Sequence, residues 1–536
     1  MTASASPTFN LADLWEAAAD AVPDRTALVV GDRRLTYRQL EDRATRLANW
    51  MAGQGVGPRD HVALLLWNGT EYVEGFLAAH KLRGAAVNVN YRYVEEELRY
   101  LLDDSDAVGV VVHRRFASRL AAIRADLPRL KWVLLVDDDS GADVGGLEAV
   151  SYEEALAASS PERSFGPRSG DDPYLLYTGG TTGMPKGVLW RSEDAFFACI
   201  GGGDPTRMHG EVSSPEELKE RILDPGVFLP VAPLMHAAGN WTVLMWLYAG
   251  WTLVLLPGPL DPKALWQAVE RERVSSIAVV GDAVLRPLLD AWDEAGGYDR
   301  SSLFLVGSGG APLSSSLRER FLRTLPGVIL ADGYGSSETG IQAATRFNDG
   351  PGGSGSRFTP SDAVVLDEET LEPVAPGSGV VGRVARSGRI PVEYFKDEAK
   401  TKATFFERDG RRWSLTGDSA TVEEDGSITL LGRGSLCINT GGEKVYPEEV
   451  EGVLRGHPDV YDVLVVGAPD ERWGSRVVAL VQPVAGRSPA AEDLTSHCRG
   501  SLAGFKVPKE VRFVEEVVRS PTGKPDYRWA AATAAS

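Results

Sequence analysis

The chain has 536 residues, 43% of them hydrophobic and 24% charged, with a formal net charge of −19. That length exceeds one hydrophobic core and the composition is that of a folded chain, so several domains are expected and intrinsic disorder is excluded. The negative charge argues against a general nucleic-acid binder or a binder of anionic membranes.

From the N-terminus, "MTASASPTFNLADLW" has no basic segment followed by an apolar one, so export is not expected. Leu11 to Ala21 and Leu40 to Gln54 carry apolar residues at helical spacing, and "HVALLLW" and "AVGVVV" read as buried strands. This alternation predicts an α/β sandwich with helices over a largely parallel sheet. Next comes "PYLLYT", a continuous apolar and aromatic run that reads as a buried strand, followed by "GGTTGMPKGV".

The loop from Thr178 to Lys186 is suited to an anion. Gly179, Gly180 and Gly183 lack a Cβ, so the backbone can take positive φ and turn amide N–H groups toward phosphate oxygens. Thr178, Thr181 and Thr182 add hydroxyls, and Lys186 adds a mobile positive charge behind Pro185. The spacing is not that of a Walker loop, which needs Gly before the lysine and Ser or Thr after it. Taken alone, such a loop is equally a solvated turn between two sheet elements.

Gly201 to Pro225 is a polar excursion with a short helix around Pro215 to Leu223. The run from Trp241 to Pro259 is apolar for most of its length but is broken at Ala249-Gly250; it reads as a buried helix and strand rather than a membrane span. "FLPVAPL", "SSIAVVG", "LFLVGSGGAPL" and "VILADGYGSSETG" each place a strand before a small-residue loop, where open α/β sheets bind ligands. Asn348 to Ser356 has the composition of a surface loop, and short strands from Val364 to Val384 predict a small β subdomain. Beyond Val445 the pattern is α+β: a helix at Glu448 to Gly456, strands in "VYDVLVVGAP" and "SRVVALVQPV", a helix at Ala491 to Leu502, and "EVRFVEEV". The only cysteines, Cys199, Cys437 and Cys498, lie far apart without metal-ligand spacing, which points to reduced cytoplasm.

Taken together, "YTGGTTGMPKGV", "GSGGAPL", "DGYGSSETG", "LTGDSA", "LLGRG", "NTGGEKVYPEEVE" and "PTGKPDY" resemble, in order and separation, the adenylate-forming superfamily over nearly the whole chain. The resemblance implies two α/β sandwich subdomains plus a small β subdomain in a large N-terminal domain, 1–432, and a hinged, mobile α+β C-terminal domain, 433–536. It implies a carboxylate attacking the α-phosphate of ATP, then a thiol expelling AMP, with Mg²⁺ and coenzyme A required.

Carried onto this sequence, the family's motifs assign the Thr178 to Lys186 loop to the β- and γ-phosphates. Gly309, Gly310, Ala311 and Pro312 would wall the adenine, and Asp332, Gly333, Tyr334, Gly335, Ser336 and Ser337 would complete the ATP site, with Tyr334 stacking on adenine. Glu338, with Thr178, would hold Mg²⁺, a hard cation suited to oxygen ligands. Asp418 would accept hydrogen bonds from the ribose hydroxyls, beside Arg433. Lys524 would bridge the substrate carboxylate and α-phosphate, where a cation removes their repulsion. His236 would gate or line the acyl entry, with core packing as the rival reading. Asn240 and Trp241 would face either the acyl pocket or the core. Gly441, Gly442 and Lys444 would border coenzyme A, and Ser435 stands at the hinge where Asp or Lys is usual, with Gly434 offering backbone freedom.

The absence of an acidic residue in "LMHAAGNW" favours an acid without an amine, and "NVNYRYVEEELRYLLDDS" resembles actinobacterial fatty-acyl-CoA synthetases, including sterol side-chain CoA ligases. The expected substrate is a bulky or medium-to-long acyl chain. The alternatives are an aryl acid, transfer to a carrier-protein thiol, and a non-catalytic nucleotide binder. The assembly state is left open, with a homodimer among the options.

Overall fold

The computed structural model describes residues 7–179, 184–311, 313–346, 357–360, 362–440, 443–470, 472–519 and 523–536. A five-stranded parallel sheet forms first, in the order Ala85–Asn88, His61–Leu65, Ala107–His113, Trp132–Val136, Val150–Ser151. Alternate side chains of its strand His61–Leu65 enter different cores: Val62 and Leu64 one, Ala63 and Leu65 another. Burial on both faces is why this strand reads as an unbroken apolar run.

An eight-stranded sheet packs beside it, with Leu28, Phe228 and Leu253 sharing the core of Val62 and Leu64. Its inner strands are parallel and include Val227–Pro230, Ser276–Val279, Leu305–Gly309 and Ile329–Ser336. Antiparallel strands Arg33–Thr36 and Gly340–Arg346 close the two edges. The apolar run after Trp241 is resolved into the helix Ala237–Tyr248 and the strand Thr252–Leu255. Among the described residues no helix is long and apolar enough to cross a membrane.

The expected β subdomain is an antiparallel sheet in which Arg411–Val422 lies between Gly382–Ser387 and Ile428–Arg433, over a core of Val365, Val384, Ala420 and Ile428. Beyond Arg433 a new core begins with Ile438, Val450, Val463 and Val477. It joins the helix Pro447–Arg455 to the sheet Val460–Asp470, Gly474–Pro483 and Glu510–Phe513. A last helix, Tyr527–Ala535, covers that sheet's other face with Ala530 and Ala534 against Leu464, Val466 and Leu480. The sequence reading does not list it, because its buried stripe is alanine and carries little apolar contrast.

Candidate active site

The strands Pro173–Thr178 and Lys186–Arg191 pair antiparallel, with Thr178 opposite Lys186, so the Gly/Thr loop is the tip of a hairpin. Gly180, Thr181, Thr182 and Gly183 lie outside the described residues. Gly179 departs from expectation: its φ is not in the left-handed region, and a Cβ there would meet nothing within 4 Å. It lies exposed just past the end of the strand, where its lack of a side chain leaves room.

Asn88 ties this strand to the segment ahead of His236. Its Oδ1 accepts from Tyr177 N at 2.7 Å, and its Nδ2 donates to the Tyr177 carbonyl at 2.7 Å and the Met235 carbonyl at 2.6 Å. Asn68 Oδ1 accepts from Leu234 N at 2.8 Å on the same segment. His236 then occupies the position before the helix Ala237–Tyr248, and its Nε2 is buried without a partner among the described residues. Burial, reinforced by the charges of Lys524 and Arg92, pushes its pKa down to about 3, so the ring is neutral. Asn240 and Trp241 face the core: Tyr174 Oη donates to Asn240 Oδ1 at 3.0 Å and accepts from Trp241 Nε1 at 2.8 Å.

The turn after Ile329–Ser336 brings Glu338 to the loop's lysine. Tyr394 Oη donates to Glu338 Oε1 at 2.8 Å, and Lys186 Nζ stands 4.7 Å from the centroid of the Tyr394 ring. Burial holds the Lys186 ammonium below its ordinary value, and the Glu338 charge opposes that shift. Ser336 Oγ lies 2.9 Å from Thr339 Oγ1, and the Ser337 carbonyl accepts from Trp190 Nε1 at 3.1 Å.

Upstream on the same strand, Tyr334 Oη donates to Asp418 Oδ2 at 2.7 Å, and its ring rests on Phe358 with centroids 4.8 Å apart. Asp418 sits opposite Arg433 in the antiparallel register, with Arg433 Nε 3.6 Å from Oδ1. Gly309 and Gly333 are register partners on neighbouring strands, so a wall without side chains leads to Gly310 and Ala311; Pro312 lies outside the described residues. Beside it, burial raises Asp332 to about 7, with Arg318 pulling the other way. Gly335 is exposed at the end of this strand.

The C-terminal region supplies Lys524. Arg519 braces its turn, with Nη1 donating to the Gly523 carbonyl at 3.0 Å while Nε and Nη2 bind Asp462 at 2.6 and 2.7 Å. A Cβ on Gly523 would lie 2.7 Å from Ala283 Cβ, so the turn is seated on the helix Gly281–Ala295. Lys524 keeps access to solvent, yet the crowding protein, and then Arg433, push its ammonium below the ordinary lysine value while Glu338 and Asp418 pull it up. Those opposing charges are the groups expected around the metal and the ribose. A cleft of about 670 Å³ opens beside this turn between Trp67, Tyr91 and Arg92 on one wall and Tyr461 and Arg519 on the other.

The junction between the two parts differs from expectation. The residue in the left-handed region is Gly432, at φ 110°, not Gly434, which opens a short 3-10 turn over Gly434–Leu436 with Ser435 exposed in it. Gly432 is required there, because a Cβ would fall 1.2 Å from Glu448 Oε2. That oxygen is buried without a partner among the described residues, and burial, with repulsion from Glu451 and Asp418, lifts Glu448 to about 8 against Arg433 and Arg455. Lys444 is exposed on the hairpin Ile438–Thr440/Glu443–Val445 beside Cys437 and Tyr446, apart from the contacts above; Gly441 and Gly442 lie outside the described residues.

Residues 15–390 match the family model of the AMP-binding enzymes, and residues 449–524 match that of the AMP-binding enzyme C-terminal domain. The chain belongs to the AMP-binding enzyme family. It is 47% identical over 532 residues to a 3-oxocholest-4-en-26-oate–CoA ligase of Rhodococcus rhodochrous, covering 97% of this chain and 95% of that one. It is 47% identical over 525 residues to a medium/long-chain-fatty-acid–CoA/3-oxocholest-4-en-26-oate–CoA ligase of Mycobacterium tuberculosis, with the same shares of 97% and 95%. The crystal structure of an anthranilate CoA ligase with anthranoyl-AMP superposes with a TM-score of 0.84 at 26% identity, over 99% of this chain and 98% of that chain.

Around this candidate site, the residues that sequence reasoning missed are supports rather than reactive groups. Asn88 and Asn68 lie on or near the five-stranded sheet, and Tyr394 lies in the short strand Glu393–Tyr394 that pairs with Lys186–Arg191. Each acts across a long sequence separation, and no local pattern marks it. For a metal, Glu338 and Thr178 offer a carboxylate and a hydroxyl, a hard-oxygen set that fits Mg²⁺ held mostly by phosphates and water.

Proposed function

We propose that this enzyme joins a medium-to-long or bulky aliphatic acid, of the fatty or sterol side-chain type, to coenzyme A. It is an AMP-forming acid-thiol ligase that uses ATP, Mg²⁺ and coenzyme A. The observation that carries the reading is that the charges of Arg433, Glu338 and Asp418 all act on Lys524, which comes from beyond the junction at Gly432. The ligase names of the relatives support the acyl class.

In this reading a carboxylate oxygen attacks the α-phosphorus, the bond to pyrophosphate breaks, and an acyl-adenylate forms. Lys524 lies between the two anions and stabilises the charge that accumulates as they join. Lys186 and the Thr178 to Gly183 loop hold the β- and γ-phosphates, and Glu338 and Thr178 would hold Mg²⁺, which neutralises phosphate charge when bound. Gly309 to Pro312 and Asp332 to Ser337 line the adenine and phosphates. Asp418, oriented by Tyr334 and Arg433, takes the ribose hydroxyls. His236, kept neutral, lines the acyl entry without adding a charge. The thiol then attacks the acyl carbon, forming C–S and breaking the bond to AMP.

For that second step we assign residues 433–536 as a unit that turns about Gly432 to Ser435, bringing Gly441, Gly442 and Lys444 to the coenzyme. The separate core beyond Arg433 supports this division. Free Cys199, Cys437 and Cys498 support a cytoplasmic setting, and the net charge of −19 speaks against a nucleic-acid partner.

The test is pyrophosphate release with fatty, sterol side-chain and aryl acids, with and without coenzyme A. The expected result is release with aliphatic or sterol acids, rising with coenzyme A as acyl-CoA accumulates. Release with aryl acids alone overturns the substrate class, and no release with any acid overturns the activity.

A further inference from the structure

The turn that carries Glu338 is gripped on both flanks by N–H groups from other parts of the fold. On one side Trp190 Nε1 donates to the Ser337 carbonyl at 3.1 Å. On the other, Arg386 donates through Nη1 to the Thr339 carbonyl and, at 3.3 Å, to the Ile341 carbonyl. Trp190 is 1% exposed and Arg386 6%, so both polar heads have been taken out of water.

A buried guanidinium is costly unless its hydrogen bonds are used. Its acidic neighbour accounts for little here: Asp362 Oδ2 lies 3.4 Å from Nη2, and the Asp362 side chain is 60% exposed. Nε is buried with no partner among the described residues. The donors in use therefore go chiefly to main-chain carbonyls on either side of Gly340. Gly340 is itself confined, since a Cβ there would lie 2.5 Å from the Ala198 carbonyl oxygen. The Thr339 N–H donates to the Ser336 carbonyl at 3.2 Å and closes the turn from within. Between the two grips, the Glu338 carboxylate reaches Tyr394 Oη at 2.8 Å.

We propose that Arg386 and Trp190 are positioning residues: they clamp the peptides on either side of Glu338 and so aim its carboxylate at the metal and phosphates of bound ATP. Neither touches a reacting atom, and both act through the main chain. The proposal rests on the adenylation reading above.

The test is Mn²⁺ binding to the full-length enzyme with ATP, followed by electron paramagnetic resonance, beside adenylation kinetics. Arg386→Met keeps the bulk and removes the donors; it is expected to weaken Mn²⁺ binding about tenfold, as loss of an outer partner of a metal ligand does, and to lower kcat with KM for the acid unchanged. Arg386→Lys, which keeps one donating head, is expected to recover most of the loss. Trp190→Phe keeps a ring, deletes the N–H and is expected to cost about threefold in the same direction.

A folded Arg386→Met with wild-type Mn²⁺ affinity overturns the proposal, even if its melting temperature falls. Should that variant not fold, Trp190→Phe decides, and unchanged Mn²⁺ affinity there overturns it equally. Wild type that binds Mn²⁺ with ATP but releases no pyrophosphate sinks the adenylation reading and leaves the Mn²⁺ comparison standing as the test of the clamp. Wild type that binds no Mn²⁺ with ATP overturns both.

Discussion

On the wall built from residues 173–433, the groups assigned to ATP have partners within the same folded mass: Asp418 has Tyr334 and Arg433, Glu338 has Tyr394, and Lys186 has the Tyr394 ring. The facing side is different. Lys524 enters on a turn braced by Arg519 from its own region and seated on the helix Gly281–Ala295 by the close approach of Gly523 to Ala283. The difference teaches a division of labour. A fixed wall stabilises charge without reorganising, and on the proposed reading the cation on the facing turn is withdrawn once its step is complete. At the seam, Glu448 Oε2 is buried against Gly432 with no partner among the described residues, so the contact between the two sides is also a place where burial is poorly compensated.

The strongest way to break this comparison is Lys524→Ala. It is expected to lower adenylation by about 10²–10³, the scale of losing one preorganised electrostatic contact, while ATP binding stays near wild type because the wall is untouched. Pyrophosphate release beside an ATP titration checks it, and a parallel loss of ATP affinity would merge the two sides into one unit.

Asp418→Asn attacks the wall instead. It removes the charged acceptor of the Tyr334 hydroxyl and is expected to raise KM for ATP about tenfold, while kcat at saturating ATP moves much less. Steady-state kinetics against ATP separate these, and a fall in kcat with KM unchanged would place Asp418 with Lys524 rather than with the wall.

The smallest effect is expected at the seam. Glu448 is lifted from an ordinary 4.5 to about 8 in the folded chain, so the folded state binds this proton more tightly than the unfolded one. Stability from this group is therefore greatest at low pH and is lost as pH rises from about 5 through about 8. Glu448→Gln is expected to flatten that decline and to raise the apparent melting temperature at pH 8 by about 2 °C. A pH series of thermal melts reads it, and parallel declines in wild type and variant would show that Glu448 is not the uncompensated group.

Part of this wall is legible in the sequence because the Gly/Thr loop and Glu338 follow strands, where apolar runs stop and small-residue loops begin. Tyr334 and Asp418 lie within strands and follow from family resemblance alone. The antiparallel return after the Gly/Thr loop does not, because "KGVLWR" shows a strand but not its direction. The supports Asn88, Trp190, Arg386 and Tyr394 are invisible for a related reason: each acts on a carbonyl or side chain far along the chain, and only sheet order brings them together. Which glycine takes the left-handed conformation at the junction is ambiguous in "GRG" for want of register. The pairing of Asp418 with Arg433, beside an irregularity between Ser419 and Ala420, decides that Gly432 and not Gly434 takes the left-handed conformation.

The central claim is that Lys524 serves acyl-adenylate formation from the fixed wall's far side and is then dispensable. The most direct test supplies wild type and Lys524→Ala with preformed acyl-adenylate and coenzyme A, and in parallel with acid, ATP and coenzyme A. The account predicts that the variant makes acyl-CoA from the adenylate at close to the wild-type rate while failing to start from the acid. Equal loss in both assays, or unimpaired adenylation from the acid, would contradict it.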